Sequence, residues 1–393
     1  MTNSNRGRSA LGAVALIAML AGCGGSQGQI GGLRGSNSML PGVLPEVSVE
    51  YVYVGNYGDD NISAYKIASG GSLTAVKGSP FTAGTGPTAM AVDPTGKFAY
   101  AANTGTTSGG NISAYTIDAT TGALTAVKGS PFSAGTEPSG VAIDPTGKFA
   151  YVSNYGQNNI DAYAIDATTG ALTAIKGSPF ATGEEPEYVA IDPKGKFAYV
   201  PDYESDNVSA YAIESDGTLK PVKGSPFAAG TETAGATVNP SGKFVYAPNY
   251  GSDNVSAYTI ESSGALKPVK GSPFTTGSSP TNVVVDPNGK YAYIADSAST
   301  NVSAYSINAT TGALTAVKGS PFTVGDDPEY AAVDPAGKFA YVPNVGSDDI
   351  SGFAIESTGA LKPLKGSPFT GLKEPAPIVI CRAASGKCIP PPL

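Results

Sequence analysis

The sequence contains no histidine, no tryptophan and only four arginines, Arg6, Arg8, Arg34 and Arg382. Without histidine there can be no Ser-His-Asp triad, no Cys-His dyad and no His-ligated zinc or iron. Without arginine clusters, and at a pI of about 4.7, a surface that grips phosphates or reads nucleic acid is excluded. Long apolar runs are also missing. The longest, Ala10 to Leu20, is too short to cross a bilayer as a helix of about 20 residues.

That run has the layout of a secretory signal: Arg6 and Arg8 precede it and Leu20-Ala21-Gly22-Cys23 follows. The ending resembles a bacterial lipobox, which implies removal of residues 1–22 and acylation of Cys23; an ordinary signal peptide with an incidental cysteine is the alternative. Gly24 after the cysteine points towards the outer membrane. The expected location is therefore the cell envelope, outer membrane or cell surface, with a membrane partnership through the lipid anchor. Losing Arg6 and Arg8 moves the net charge from −8 to −10. Residues 23–45 are Gly-, Ser- and Pro-rich and read as a flexible tether, leaving 46–393 for the folded part.

What the chain does have is glycine and proline, 51 and 31 residues, placed in strict register. Gly-Ser-Pro-Phe starts at Gly78, Gly129, Gly177, Gly224, Gly271, Gly319 and Gly366, at intervals of 51, 48, 47, 47, 48 and 47 residues. Between them Val, Ile, Tyr, Phe and Thr alternate with small residues, and Asp-Pro-x-Gly or Thr-Gly turns break each run. Four short strands per period of this length give an all-β, seven-bladed propeller of four-stranded antiparallel blades. In the third unit the strands are expected at Ser139 to Asp144, Phe149 to Ser153, Ile160 to Ile165 and Leu172 to Lys176. The first unit lacks its innermost strand, and Pro375 to Arg382 reads as the strand that closes the ring there. A single closed ring is expected to be monomeric. Cys381 and Cys388 lie at this closure and are expected to form a disulfide clasp.

The string Val141-Ala-Ile-Asp-Pro-Thr-Gly-Lys-Phe-Ala-Tyr-Val-Ser-Asn154, followed by Ile165-Asp-Ala-Thr-Thr-Gly-Ala-Leu172, resembles the seven-bladed lactonase propellers, which include bacterial 6-phosphogluconolactonases. Tyr151-Val-Ser-Asn154 is also similar to the Y-V-T-N repeat of surface propellers. The resemblance covers residues 47–383 and implies the propeller fold. Its implied activity would place His and Arg around the channel mouth, after the proline preceding each innermost strand. Here those triplets are Pro87-Thr-Ala, Pro138-Ser-Gly, Pro186-Glu-Tyr, Thr233-Ala-Gly, Pro280-Thr-Asn, Pro328-Glu-Tyr and Pro375-Ala-Pro, none with His or Arg.

All thirteen phenylalanines repeat in register and are expected to pack blade against blade. The irregular residues gather on one face. Glu184, Glu185, Glu187 and Tyr188 enter blade 4, and Asp326, Asp327, Glu329 and Tyr330 enter blade 7, three blades away across the channel. Tyr203 and its neighbours add aromatic faces. The opposite face carries the lysines of the Gly-Lys turns. The expected role is a binding or interaction module acting through this face, which would take a glycan, a small molecule or a basic protein on its Tyr and carboxylate groups; a hydrated surface and a lactone hydrolase are the alternatives. No cofactor is required, although clustered carboxylates without His suit Ca²⁺. As an enzyme, a lactone hydrolase would rely on Glu187 and Glu329, two crowded carboxyls whose proton affinities split.

Overall fold

The strands form where β-branched and aromatic residues alternate, and they end where a buried aspartate draws the chain round. In the third blade, Asp144 accepts the N–H groups of Lys148 and Phe149, both at 2.7 Å, and so closes the first turn. The computed structural model describes residues 49–106, 109–384 and 387–389. The expected leader, Cys23 and the tether 23–45 lie outside these residues. The described chain forms seven antiparallel sheets around a central channel, the innermost strand of each lining it.

Blade 3 shows the plan: Pro138–Ile143 innermost, then Phe149–Asn154, Asn159–Ile165 and the outer Leu172–Ala174. One expectation needs correction. The outer strand is broken in two, with Leu172–Ala174 paired to the end of the third strand and Phe180–Ala181 to its start. In the gap, the Ser178 hydroxyl accepts the Ala162 N–H at 2.9 Å and takes the place of a ladder carbonyl. This explains Gly-Ser-Pro-Phe: its serine closes the ladder, its proline is cis in all seven copies, and its phenylalanine restarts the strand. Those seven phenylalanines are therefore half-buried on the rim, while Phe98, Phe244 and Phe353 are buried as expected.

Blades are tied to their neighbours by hydrogen bonds that run right round the ring. The buried second-strand tyrosines Tyr53, Tyr100, Tyr151, Tyr199, Tyr246, Tyr293 and Tyr341 each donate to a turn glycine carbonyl of the next blade, at 2.6–3.1 Å. Third-strand tyrosines reach backwards: Tyr115, Tyr163, Tyr211, Tyr258 and Tyr305 donate to carbonyls of the preceding blade. Blade 7 has Phe353 at this position, buried and without a hydroxyl. Phe353→Tyr is expected to reach the Thr323 carbonyl and raise stability by about 1 kcal/mol, read as an increase in denaturant midpoint.

The ring closes as the sequence predicts. Pro375–Ala384 lies innermost in blade 1, antiparallel to Val49–Asn56, with Tyr51 opposite Cys381 and Tyr53 opposite Val379. Glu50 and Arg382 pair across it at 3.0 Å. Cys381 is buried and disulfide-bonded; the side chain of Cys388, its expected partner, lies outside the described residues.

The innermost strands differ in a way that shapes the channel. They are six residues long in blades 2, 3 and 6 (Pro87–Val92, Pro138–Ile143, Pro280–Val285). In blades 4, 5 and 7 only Ala190–Ile191, Thr237–Val238 and Ala332–Val333 are laddered. The second strand of those three blades carries a proline, Pro201, Pro248 or Pro343. The Pro201 carbonyl accepts the Glu187 N–H at 3.0 Å, so its nitrogen faces the same strand with no hydrogen to return. Pairing stops there, and Glu187–Tyr188 and Glu329–Tyr330 enter the channel on backbone freed from its own sheet.

Candidate functional site

The freed segments are held by the blade before them. Ser139 and Ser153 of blade 3 donate to the carbonyls of Pro186 (2.7 Å) and Glu187 (3.0 Å). Gly140 makes the close approach feasible: a Cβ there would lie 2.8 Å from the Glu187 carbonyl oxygen and 3.0 Å from the Tyr188 Cα. In blade 6, Thr281 donates to the Glu329 carbonyl at 2.8 Å, and the Asn282 side-chain oxygen accepts the Ala331 N–H at 3.3 Å. Tyr188 and Tyr330 then meet across the channel, hydroxyl to hydroxyl at 3.2 Å.

Glu187 is 0% exposed and Glu329 4%. Neither carboxylate oxygen of Glu187 has a hydrogen-bond partner among the described residues. Burial, reinforced by Glu329 and Glu185, raises Glu187 well above the ordinary carboxylate range. Burial also raises Glu329, with Asp327 adding to it. An ionised carboxylate in such surroundings lacks both water and a counter-charge, so the proton is retained to higher pH. Two such groups facing one channel can hold different protonation states, the arrangement that separates an acid from a base.

The remaining expected residues lie on the rim above. Glu184 and Asp326 are exposed, while Glu185 and Asp327 are half-buried. Tyr155 donates to Glu185 and Tyr203 to Glu232, the latter at 3.0 Å. Tyr203 is itself buried and leans on Tyr250, ring centres 6.2 Å apart. Glu137, Glu185, Glu232, Asp327 and Glu374 sit at φ of 47–55°, each in the connection entering a blade. A left-handed non-glycine residue costs roughly 1–2 kcal/mol. Loop side chains offset this: Asn158 Oδ1 accepts the Glu185 N–H, Asp206 that of Glu232 and Asp348 that of Glu374. The structure thus brings Glu187, Tyr188, Glu329 and Tyr330 together and leaves Glu184, Glu185, Tyr203, Asp326 and Asp327 around them.

Cations are scarce here. Lys373 is exposed and bound to Asp348 at 3.1 Å. Among the described residues no three Cys, Asp or Glu side chains converge as metal ligands. The lysine-bearing face differs from expectation. Its third-to-outer turns bring Asp118, Asp166, Glu214, Asp216, Glu261 and Glu356 beside the lysines; Lys97 reaches the Ala167 carbonyl, next to Asp166. That face is mixed in charge, and the asymmetry comes from the acidic rim alone.

Two further acids are buried beneath the rim. The second strand ends in Asn56, Asn103, Asn154, Asn249 and Asn344 in five blades, but in Asp202 and Asp296 in blades 4 and 6. Both are 0% exposed. Burial pushes Asp202 up to about 6 against hydrogen bonds from Ser209 and Thr182, and Asp296 up to about 7 against Ser303. Lining up the seven copies reveals them.

Residues 48–234 and 235–375 match the sequence model of the family described as Lactonase, 7-bladed beta-propeller. No curated protein matches the chain. Among solved structures, a candidate 6-phosphogluconolactonase from Bacteroides uniformis is similar with a TM-score of 0.74 at 19% identity, over 85% of this chain and 99% of that one. The periplasmic gluconolactonase PpgL of Pseudomonas aeruginosa is similar with a TM-score of 0.72 at 18% identity, over 85% and 99%. A Lactobacillus plantarum protein gives 0.73 at 20%, over 84% and 99%. At these identities the likeness is one of fold.

Proposed function

The chain belongs to the seven-bladed lactonase propeller family, and on that footing we propose that it hydrolyses an uncharged lactone within its channel. The observation that carries the reading is Glu187, wholly buried, with both oxygens unpartnered and Glu329 facing it. In a carboxyl pair of this kind one carboxylate takes a proton from a water molecule as its oxygen adds to the lactone carbonyl. The protonated partner delivers its proton to the ring oxygen as the C–O bond breaks, giving a hydroxy acid and returning the pair to its starting charge. Substrate charge follows from the surroundings. Arg382 is engaged with Glu50 and Lys373 with Asp348, so a phosphorylated lactone would meet an acidic rim with no free guanidinium among the described residues.

The rim supports a second role in substrate capture. Its half-buried Tyr155 and Tyr250, beside Glu185 and Glu232, offer aromatic edges and carboxylate acceptors to a polyhydroxylated ring. A lipid tether at Cys23 would hold this propeller at the cell envelope. The test is proton release by the chain from residue 46 on D-glucono-δ-lactone and on its 6-phosphate. Hydrolysis of the neutral lactone with a kcat/KM at least tenfold above that of the phosphate is expected, a difference of about 1.4 kcal/mol. Turnover of neither, above the buffer rate, removes the lactonase reading and leaves the rim as a binding surface.

A further inference from the structure

Each innermost strand contributes two successive positions near the mouth of the channel. The first carries Glu187 and Glu329. The second, one residue on, carries Ala89, Gly140, Tyr188, Gly235, Asn282, Tyr330 and Pro377. Alanine, glycine and proline offer no side-chain donor, and Tyr188 gives its hydroxyl hydrogen to Tyr330. The Tyr330 hydroxyl and the Asn282 amide remain, and of these the amide carries two hydrogens.

Its orientation is fixed by chemistry. The Ala331 N–H is a donor, so the Asn282 atom that receives it is the carbonyl oxygen Oδ1, and the amide NH₂ is turned the other way. That NH₂ has no partner among the described residues. Asn282 stands on a laddered strand, paired with Ala295, so its position is set by the sheet. Its neighbour Thr281 holds the Glu329 carbonyl.

This is also the side of the channel that water reaches. Asn282, Val284 and Ala190 are each 7% exposed, and Ala236 and Thr237 are half-buried. On the opposite wall Ala89, Met90, Val141 and Ile378 are at 0%. The Tyr188–Tyr330 bridge separates the two sides.

We infer that the Asn282 amide is the donor that binds the carbonyl oxygen of the substrate, on the open side of the channel beside Glu329. The inference rests on the lactone-hydrolase reading. A neutral N–H donor suits a neutral ester carbonyl and strengthens its hold as the oxygen becomes an oxyanion during attack by water. It also shares the selectivity for uncharged substrates, since an amide supplies no counter-charge for a phosphate.

Asn282→Asp separates this role from the holding of Ala331. The variant keeps an oxygen for the Ala331 N–H but loses both amide hydrogens. Using the chain from residue 46, kcat and KM on D-glucono-δ-lactone and calorimetric affinity for the non-hydrolysable D-glucono-δ-lactam are measured for wild type, Asn282→Asp and Asn282→Ala. The expected result for Asn282→Asp is a melting temperature near that of wild type at pH 5 and lower at pH 8, where the introduced carboxyl ionises in a buried site, with a kcat lower by about 10²-fold and a lactam affinity at least tenfold weaker. Its deficit relative to wild type should shrink as pH falls and the introduced carboxyl regains an O–H. Asn282→Ala should lose as much activity and be less stable. Wild-type kcat and lactam affinity in Asn282→Asp would overturn the inference while leaving the lactonase reading intact. A wild-type protein that neither hydrolyses the lactone nor binds the lactam overturns both.

Discussion

Replacing Glu187 with glutamine is expected to abolish turnover and, at neutral pH, to make the protein more stable. The two effects have one origin. Glutamine keeps the shape of the side chain but can neither accept nor deliver a proton, so the acid–base step should slow by about 10²–10⁴-fold. Stability moves the other way because burial and Glu329 hold the native carboxyl well above its unfolded range. The folded protein therefore binds more protons than the unfolded chain once pH exceeds the unfolded value of about 4.5. Over that interval the Glu187 term falls as pH rises. Urea midpoints between pH 4.5 and 8 should slope downward in wild type and less steeply in Glu187→Gln, with the variant ahead at pH 8. Glu329→Gln should behave alike. A variant less stable than wild type at pH 8 would mean that Glu187 is ionised in the fold and paired with a cation.

Asp296→Asn is expected to give the largest gain in stability. Five blades place asparagine at this point, and in three of them its NH₂ donates to the serine seven residues on: Asn56 to Ser63, Asn249 to Ser256 and Asn344 to Ser351, all at 2.9 Å. In blade 6 the direction is reversed, Ser303 donating to Asp296 at 2.6 Å, while Asp296 Oδ1 has no partner. A native value of about 7 against an ordinary 3.8 makes the ionised form unfavourable by roughly 4 kcal/mol at pH 8. Asparagine removes that term. Its benefit should be full above pH 7, decline as pH falls towards 4 and vanish below that. Asp202→Asn should follow at a lower pH, since its value is about 6 and its second oxygen is bound by Thr182 and Gly183. Denaturation at pH 5 and pH 8 tests both; an equal effect at the two pH values would show that ionisation is not the cause.

The architecture was readable because it is written seven times. The Gly-Ser-Pro-Phe spacing, the missing first strand and the apolar Pro375 to Arg382 together imply a ring closed by its own C-terminal segment. Glu187 and Glu329 were also accessible, since three blades of separation place them opposite. Their depth was not. Whether a carboxylate after a proline lies on the rim or inside the channel depends on whether the strand beside it can donate, and that is decided fourteen residues later by Pro201 and Pro343. Asn282 carries no signal of its own type either. It matters because Ala331, in another blade, fixes which end of its amide faces the channel. The break in each outer strand was missed for a simpler reason: two-residue strands have no periodicity to detect.

The pairing of Val49–Asn56 with Pro375–Ala384 has a consequence for the order of synthesis. The ribosome makes the first of these strands more than three hundred residues before its partner. Throughout that interval an apolar edge, Val-Glu-Tyr-Val-Tyr-Val, has no neighbour on its channel side, and unpaired edges of this kind recruit other chains. Six blades can assemble in sequence as they emerge, but none of them seals the ring. The last step is a contact of very high sequence separation, which makes it slow to form by chance encounter. A chaperone that shields the first blade until the final strand arrives would raise the yield of closed rings more than any gain in the stability of the blades themselves.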